Sequence, residues 1–337
     1  VAGTWREHDK ELPVKIIVTG GTGQVGSVLC RAFADAGHNV VVLSRRPSGS
    51  RAGDGGDAKR KTVLWDAKTL GPWRHELDGA DVVLNLAGRS VNCRYTRKNR
   101  ALIKESRIAS ARVIGTAISQ ADAPPRLWLQ ASTATIYQHT FGPPQNEATG
   151  VIGGTEPETP ETWRFSIDVA TSWEAAANEA TLTATRRVLM RSAIMFSPDR
   201  GGAFDVLLGL VRHGLGGRNG DGKQYVSWVH DADFVRAVDW LIAHDDLVGP
   251  VNIAAPGALP NAAFMQALRH AWGARIGIPS PRWLLEIGTF FMRSETELVL
   301  KSRRVASGKL EKSGFAFTFP TWPEAAADLC RRWRASR

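Results

Sequence analysis

Short apolar runs alternate with longer segments of helical spacing through the first two thirds of the chain. The apolar runs predict β-strands at VKIIV, NVVVLS, KTVLWD, DVVLNLAG, RLWLQAST, RRVLMRSA and VNIAA. Between them, apolar positions recur at helical spacing from about Gln24, Arg97 and Arg164 onward. Strands that alternate with helices favour a parallel sheet covered on both faces. We therefore expect the α/β class, with a doubly wound parallel sheet.

The alternation is lost after about Pro256. Short helices are predicted near 262–272, 281–291 and 295–300, and a final helix begins near Pro323. Ligands of doubly wound folds bind at the carboxyl ends of the strands, so a lobe appended there covers the substrate side. We expect one domain over 13–192 that resumes at 227–255, and a smaller, mostly α C-terminal substrate lobe over 193–226 and 256–335.

A glycine cluster lies between the first predicted strand and the first predicted helix. Gly21, Gly23 and Gly26 form G-x-G-x-x-G, and Gly20, Gly23 and Gly26 form G-x-x-G-x-x-G. Such a turn is tight, lets a phosphate approach the backbone, and allows the helix to pack on the strand. The helix then directs its free N–H groups at the anion. A purely structural turn is the alternative, but the strand–loop–helix context favours a Rossmann-type dinucleotide domain.

The second predicted strand ends at Ser44, Arg45 and Arg46, about twenty residues past the glycine loop. An NAD site usually carries Asp or Glu at this place, where the acid binds the ribose 2′-hydroxyl. Two guanidinium groups instead match a 2′-phosphate in charge and in geometry. The alternative is a solvated basic loop, since Arg51 and residues 59–61 are also basic. The pattern favours NADP(H) as the cofactor.

Composition, charge and cysteine spacing indicate which classes of binding partner and which cellular compartment to expect. The 337 residues are 43% hydrophobic, and no apolar run approaches the ~20 residues of a membrane span. The net charge of +10 is dispersed and accompanies no nucleic-acid-binding signature. Cys30, Cys93 and Cys330 are far apart and lack metal-type spacing, which suggests a reducing compartment. We expect a cytoplasmic protein with a small-molecule substrate and no nucleic acid, membrane or metal; its oligomeric state stays open.

Several motifs occur in an order that is typical of one superfamily. They are TGGTGQVG, SRRP, WD, NLAG, AST…Y and SWVHDAD. In this order they resemble the extended short-chain dehydrogenases/reductases over about residues 14–332. Further segments are similar to its atypical "epimerase family" branch, often labelled nucleoside-diphosphate-sugar-epimerase-like: RYTRKNR, GPVNIAAP and KSRRVASGKLEKSGFAFTFPT. The last of these resembles the small C-terminal domain of undefined function that marks this branch.

The resemblance implies a nucleotide site residue by residue. It places the cofactor against the glycine loop, at Gly20, Thr22, Gly23, Gln24 and Val25, and its 2′-phosphate at Arg45. The glycine motif and the end of the second strand add Gly26, Ser44 and Arg46 to these cofactor candidates. Asp66 matches the acid that meets the adenine amino group. The loop beside the nicotinamide ribose is matched by Leu86, Ala87 and Gly88.

The catalytic part of the resemblance is incomplete. Typical members carry Tyr-x-x-x-Lys at the start of the helix after the fifth strand, where the Lys lowers the pKa of the Tyr. Here Ser166 and Ala170 occupy those positions. At the end of the fifth strand, Ser132 or Thr133 matches the family's substrate-orienting hydroxyl, and Tyr137 matches the tyrosine of its Tyr-Gly turn. Ser132 and Tyr137 are the candidate catalytic residues, and Thr133 is a candidate substrate contact.

Other positions have two interpretations each. Arg200 and Arg218 match the wall that contacts a substrate diphosphate in sugar-nucleotide relatives, and the alternative is a flexible Gly-rich surface loop. His230 is expected to hold the junction between a loop and a helix, with Asp231 or Asp233 as the helix cap. His139 is expected in a solvent-exposed loop, with a position facing the cleft as the alternative.

Two function classes therefore stay open. The first is an NADP-dependent oxidoreductase or epimerase that acts on a carbonyl, an alcohol or a sugar-nucleotide-like substrate. The second is a catalytically silent NADPH-binding protein with a sensor or regulatory role, which Ser166 and Ala170 favour. Arg107, in place of an Asn of the family's proton relay, leaves that relay incomplete as well. The intact cofactor loop and a substrate cleft make the enzyme the preferred interpretation.

Overall fold

A computed structural model describes residues 13–46, 60–280 and 300–337. Its strands are β1 (Lys15–Thr19), β2 (Asn39–Ser44), β3 (Arg60–Leu64), β4 (Val82–Asn85), β5 (Leu127–Thr133), β6 (Arg186–Ser192), β7 (Ile194–Phe196), β8 (Tyr225–Val226), β9 (Trp228–His230), β10 (Gly249–Ile253) and β11 (Leu259–Pro260). Seven of them form one sheet in the spatial order β10-β6-β5-β4-β1-β2-β3. Every neighbouring pair in that sheet is parallel. The predicted doubly wound parallel sheet is confirmed.

The helices follow the predicted alternation. They are α1 (Gln24–Asp35), α2 (Arg97–Ser119), α3 (Glu161–Asn178), α4 (Ala203–Arg212), α5 (Asp231–Ala243), α6 (Asn261–Trp272), α7 (Gly308–Lys312) and α8 (Trp322–Ala335). The third begins earlier than predicted, because Pro160 is its N-cap and the helix starts directly after it. No helix in the described ranges is both long enough and apolar enough to cross a membrane.

The two faces of the sheet are covered by different helices. Ile16 of β1 packs in a buried cluster with Phe33 of α1 and Phe234 of α5. The next residue, Ile17, points to the other face and packs in a cluster with side chains of α2 and α3, such as Ile114. Because these strands are buried on both faces, they are continuous apolar runs in the sequence. This arrangement leaves the carboxyl ends of the strands as the open edge of the sheet.

A separate aromatic core forms the lobe beside that edge. Phe196, Phe204 and Trp228 pack there with Phe264 of α6 and Trp322 of α8. The Phe264 and Trp322 rings are stacked with their centroids 4.0 Å apart. The helices predicted at 281–291 and over most of 295–300 lie outside the described residues. The mostly α C-terminal lobe is confirmed as part of the fold, and the domain boundaries stay a prediction.

His230 fixes the start of α5, but the cap differs from the prediction. Its own Nδ1 accepts a hydrogen bond from Ala232 N at 3.1 Å, and its Nε2 lies 3.0 Å from an Asp328 carboxylate oxygen. Asp231 Oδ1 accepts from the same Ala232 N at 3.0 Å, and both Oδ atoms of Asp231 also pair with Arg332 of α8 at 2.7 Å. Asp233 accepts the N–H groups of residues 318 and 319 at 2.8 Å. His230 is therefore the N-cap, and the two acids anchor the C-terminal segment to α5.

Candidate functional site

The glycine loop after β1 is shaped by contacts that only glycine tolerates. Gly20 has a φ of +68°, and a Cβ there would lie 2.8 Å from Leu86 O. A Cβ on Gly26 would lie 2.3 Å from Gly20 O, so this position holds α1 close against the loop. Gly23 is the N-cap of α1, and a Cβ there would have only Gly20 O within 4 Å. The open side of the loop is thus at Gly23, where the helix begins and its free N–H groups attract an anion.

A buried polar chain positions the neighbouring NLAG loop after β4. The Thr19 hydroxyl donates to Asn85 Oδ1 at 2.6 Å, and Asn85 Nδ2 donates to Gln130 Oε1 at 2.8 Å. Ala87 N donates to both the Thr19 and the Asn85 oxygens at 3.2 Å. Asn85 therefore has a structural role in this motif, because its hydrogen bonds hold the ends of β1 and β4 together and orient the loop.

These two loops border a cavity of about 640 Å³ at the carboxyl edge of the sheet. It is lined by Gly20, Thr22, Gly23, Leu43, Ser44, Arg45, Arg46, Thr62, Trp65, Ala67, Leu86, Ala87, Gly88, Arg89, Ser90 and Ser106. We call this space the nucleotide cavity. It brings together most of the predicted cofactor residues, namely those of the glycine loop's open side, the end of β2 and the NLAG loop.

The nucleotide cavity is electropositive. Arg45, Arg46 and Arg89 are all exposed, and none of them pairs with a carboxylate within the part of the chain that is described. Its lining residues include no Asp or Glu. Ser44 Oγ accepts a hydrogen bond from Arg46 N at 3.1 Å, which shapes the turn after β2. A polyanion is the ligand that such a wall favours.

Three predicted residues of the glycine loop lie behind this wall. The Gln24 side chain donates to Ser197 Oγ at 3.0 Å and so binds the segment before α4. Val25 packs against the apolar core, and Gly26 is buried against the loop backbone. Gln24, Val25 and Gly26 therefore do not line the cavity, and they affect it only by fixing the shape of the glycine loop.

Asp66 lies beside the nucleotide cavity in a neighbouring hollow that Arg45 and Trp73 also border. Its carboxylate accepts hydrogen bonds from Lys68 N, Thr69 N and the Thr69 hydroxyl, and these bonds lower its pKa to about 2. Asp66 therefore caps its own turn, and its predicted contact with adenine stays a prediction.

The sequence analysis missed several lining residues: Thr62, Trp65, Ala67, Arg89, Ser90 and Ser106. Trp65 is buried and packs edge to face on Trp73, with centroids 5.5 Å apart. Arg89 and Ser90 directly follow NLAG, and this adjacency was the available signal. Ser106 is on α2 and accepts a hydrogen bond from Arg89 N at 2.9 Å, a contact that only the folded chain creates.

The two predicted catalytic residues lie in a buried polar network. This Glu174 network comprises Ser132, Tyr137, Glu174, Arg191 and Asn252, all less than a tenth exposed. Ser132 Oγ donates to Glu174 Oε1 at 2.5 Å, and Arg191 pairs with the same carboxylate through Nε at 2.8 Å and Nη2 at 2.7 Å. Arg191 Nη1 donates to the Tyr137 hydroxyl at 3.1 Å, which itself donates to Asn252 Oδ1 at 2.9 Å.

This geometry does not support catalysis by Ser132 or Tyr137. Each hydroxyl proton is already committed to an acceptor inside the network. Burial, moreover, raises the pKa of Tyr137, although the Arg191 guanidinium opposes the shift. The network joins α3 to β5, β6 and β10, so we expect it to have a structural role; a catalytic role for Ser132 or Tyr137 stays a prediction.

Thr133 is the strand-end hydroxyl with a different environment. It is half-buried, and its Oγ1 accepts a hydrogen bond from Thr135 N at 3.2 Å. Its own proton is donated to no group of the described residues. Of the two hydroxyls that the resemblance left open, Thr133 is therefore the one whose proton has no acceptor among the described residues.

The positions of the missing Tyr and Lys are occupied differently. Ala170 is fully buried in an apolar cluster with Ile136 and Tyr137, so no polar group stands there. Ser166 is half-buried on α3. Arg107 of α2 lies over the Trp173 ring, 5.0 Å from Cζ to the centroid. These are the positions at which the resemblance places the family's proton relay, and the absence of that relay from this chain stays a prediction.

The predicted substrate wall is ordered by hydrogen bonds, although its charged groups face solvent. Gly217 N donates to Ile278 O at 3.2 Å, and Gly220 N donates to Ser280 O at 2.9 Å. Arg200 and Arg218 are both exposed and line neither described cavity. Their contact with a substrate diphosphate stays a prediction.

His139 is neither solvent-exposed nor at the nucleotide cavity. Its Nδ1 accepts a hydrogen bond from Ser302 N at 2.9 Å, and its ring packs against Phe141 and Trp163. Burial and the nearby Lys301 ammonium lower its pKa. No three His, Cys, Asp or Glu side chains in the described ranges are placed to hold a metal ion.

Comparison with known proteins gives two family matches. The model of the NAD dependent epimerase/dehydratase family matches residues 16–254. A domain of unknown function, DUF1731, matches residues 280–329. Both parts of the predicted resemblance are confirmed.

Relatives of full length are similar throughout. The human epimerase family protein SDR39U1 is 28% identical over 319 residues, covering 94% of this chain and 99% of that protein. Epimerase family protein SH2119 of Staphylococcus haemolyticus is 31% identical over 323 residues, covering 94% and 98%. The crystal structure of human SDR39U1 (isoform 2) with NADPH is similar with a TM-score of 0.79 and 26% identity, covering 94% of this chain and 99% of that one.

Proposed function

Because this chain belongs to the NAD dependent epimerase/dehydratase family, we propose that its nucleotide cavity binds NADP(H). The observation that carries the proposal is the lining of that cavity: three guanidinium groups and a glycine loop at a helix N-terminus, with no carboxylate. The human relative SDR39U1 was crystallised with NADPH, which supports the same cofactor.

Arg45 and Arg46 are the proposed partners of the 2′-phosphate. They follow β2 at the place where an NAD-binding fold usually carries its ribose-binding acid. Both are exposed and make no ion pair with the described residues, so none of those residues competes with a bound phosphate. The pyrophosphate is proposed to lie at Gly23, where the N–H groups of α1 are open.

Replacing Arg45 tests this assignment. Arg45→Ala is expected to weaken NADPH by about 1.5–3 kcal/mol, roughly ten- to a hundredfold, because a hydrogen bond to a charged group is lost. NADH lacks the 2′-phosphate, so its affinity is expected to stay unchanged. Arg112→Ala is the control, since Arg112 pairs with Glu179 on the surface of α2. Equal losses for both cofactors would sink the assignment of Arg45.

We propose further that the protein is an NADP(H)-dependent oxidoreductase or epimerase for a carbonyl, an alcohol or a sugar-nucleotide-like substrate. The bound nicotinamide supplies hydride transfer. Thr133, at the carboxyl end of β5, is proposed to orient the substrate oxygen, because its proton is not committed to another described residue. Ser132 loses this role because its proton is bound to Glu174.

A catalytically silent NADPH-binding protein is the second candidate. The observation that favours it is the buried, apolar environment of Ala170, together with Ser166 at the usual tyrosine position. Such a protein binds the cofactor as tightly as the enzyme does, so cofactor affinity does not separate the two candidates. Turnover does.

The separating experiment is NADPH oxidation over a panel of carbonyl compounds and sugar nucleotides. Thr133→Val is expected to lower kcat at least tenfold, because it removes the hydroxyl at nearly constant volume. Tyr137→Phe is the comparison, and it is expected to retain turnover at temperatures where it is folded. Loss of turnover in Tyr137→Phe alone would return the catalytic role to Tyr137. Tight NADPH binding without turnover on any substrate supports the silent protein.

A further inference from the structure

Arg107 lies against the NLAG loop at the edge of the nucleotide cavity. A Cβ on Gly88, which lines the cavity, would be 3.2 Å from both Cγ and Cζ of Arg107. Arg107 Nη1 donates to Arg89 O and Ile103 O, both at 3.0 Å. Nε and Nη2 donate to no group of the described residues, and neither atom is sealed from solvent. Two directional donors are therefore available beside the cavity wall.

The Arg107 guanidinium has no counter-charge among the described residues. Within the described ranges no carboxylate lies within 4 Å of Arg107. Burial lowers its pKa to about 10, which still leaves the group charged at neutral pH. Its compensating contacts are the two carbonyl oxygens and the Trp173 ring, 5.0 Å from Cζ, and none of these groups carries a negative charge.

Arg112, on the same helix, shows the contrast. Its Nε and Nη2 both bind Glu179 at 2.7 Å on the surface, in the bidentate geometry that guanidinium and carboxylate groups prefer. The Nε and Nη2 donors of Arg112 are thus filled by a carboxylate, whereas those of Arg107, on the same helix, bind no described residue. The donors without a partner are the ones beside the nucleotide cavity.

The surroundings of Arg107 favour an anion. Arg89 lines the cavity at the same loop, where its Nη2 binds the neutral side chain of Asn99 at 3.1 Å. The neutral residues Ser90 and Ser106 also line this cavity. No acidic residue is among the lining residues, so the local potential is positive.

We infer that Arg107, together with Arg89, forms an anion subsite at the NLAG end of the nucleotide cavity that takes a carboxylate or phosphate group. The inference rests on the proposed function, since it assumes that NADP(H) fills the rest of the cavity. The anionic group comes either from the diphosphate of the cofactor or from the substrate. In the second case the substrate is an acid or a phosphate ester.

The test compares Arg107→Gln with the matched control Arg112→Gln in two titrations. The first measures NADPH affinity by tryptophan fluorescence. The second measures binding of inorganic phosphate and of acetate, by calorimetry, to protein saturated with NADPH. A substrate-derived anion predicts that wild type and Arg112→Gln bind one of these ions, and that Arg107→Gln binds it at least tenfold more weakly. A cofactor-derived anion predicts that only Arg107→Gln loses NADPH affinity at least tenfold.

The inference is overturned if Arg107→Gln matches Arg112→Gln in both titrations. If Arg107→Gln does not fold, Arg107→Lys carries the test, because it keeps the charge and loses the planar fork. Several-fold weaker binding is expected for Arg107→Lys, and unchanged binding contradicts the subsite. If wild type binds no NADPH, the proposed function fails separately, and phosphate and acetate titrations of the cofactor-free protein decide the subsite alone.

Discussion

The nucleotide cavity and the Glu174 network both contain hydroxyl groups and arginines near the carboxyl ends of strands, yet they differ in how far these groups are satisfied. In the network, Arg191 donates hydrogen bonds to Glu174 and to the Tyr137 hydroxyl, and the hydroxyl protons of Ser132 and Tyr137 each have an acceptor. In the cavity, Arg45 and Arg46 have no carboxylate partner among the described residues. Saturated buried polar groups stabilise a fold, whereas donors without a partner remain available to a ligand. We therefore expect the network to stabilise the fold and the cavity to bind a ligand.

The largest expected effect comes from breaking the network. Glu174→Gln removes the counter-charge of a buried arginine, and we expect the free energy of unfolding to fall by about 3–5 kcal/mol. Glu179→Gln is the matched control at the end of the same helix, because its pair with Arg112 is on the surface; a loss below about 1 kcal/mol is expected. Urea unfolding measures both. Equal losses would mean that the network contributes no more than a surface pair.

The next effect concerns the glycine loop of the cavity. Gly26→Ala places a Cβ 2.3 Å from Gly20 O, so the backbone must shift. We expect a loss of about 1–3 kcal/mol in stability and a clear loss of NADPH affinity. Gly209→Ala in α4 is the control, since its Cβ meets nothing within 4 Å and alanine favours a helix. NADPH binding by Gly26→Ala at the affinity of wild type would contradict the role of this loop.

A smaller effect is expected from Tyr137→Phe. It leaves Arg191 Nη1 and Asn252 Oδ1 without their shared partner, and we expect a loss of about 1–2 kcal/mol in unfolding free energy. Burial raises the pKa of Tyr137 above its ordinary value of 10.0, so the folded state keeps the phenol protonated where the unfolded chain loses its proton. The contribution is complete below pH 10 and is lost as pH rises further. The difference between wild type and variant must therefore shrink above pH 10.

The sequence predicted the fold and the position of the cavity, but it did not predict which side chains bind one another. Backbone features were accessible: the glycine spacing and the apolar runs predict the loop, the strands and the edge at which the cavity lies. Side-chain partners were not. Glu174 and Arg191 are 17 positions apart, and Tyr137 meets Asn252 across 115 positions, so no local pattern signals that these groups saturate one another. For the same reason the sequence did not reveal the available Nε and Nη2 donors of Arg107, because only the folded structure shows that no described residue binds them.

The central claim is that the open arginines of the nucleotide cavity select a 2′-phosphorylated dinucleotide. The most direct measurement is the affinity of the wild-type protein for NADPH and for NADH, followed by tryptophan fluorescence under the same ionic strength. One charge-assisted contact to the 2′-phosphate predicts that NADPH binds at least about tenfold more tightly. Equal affinities, or a preference for NADH, would contradict the account.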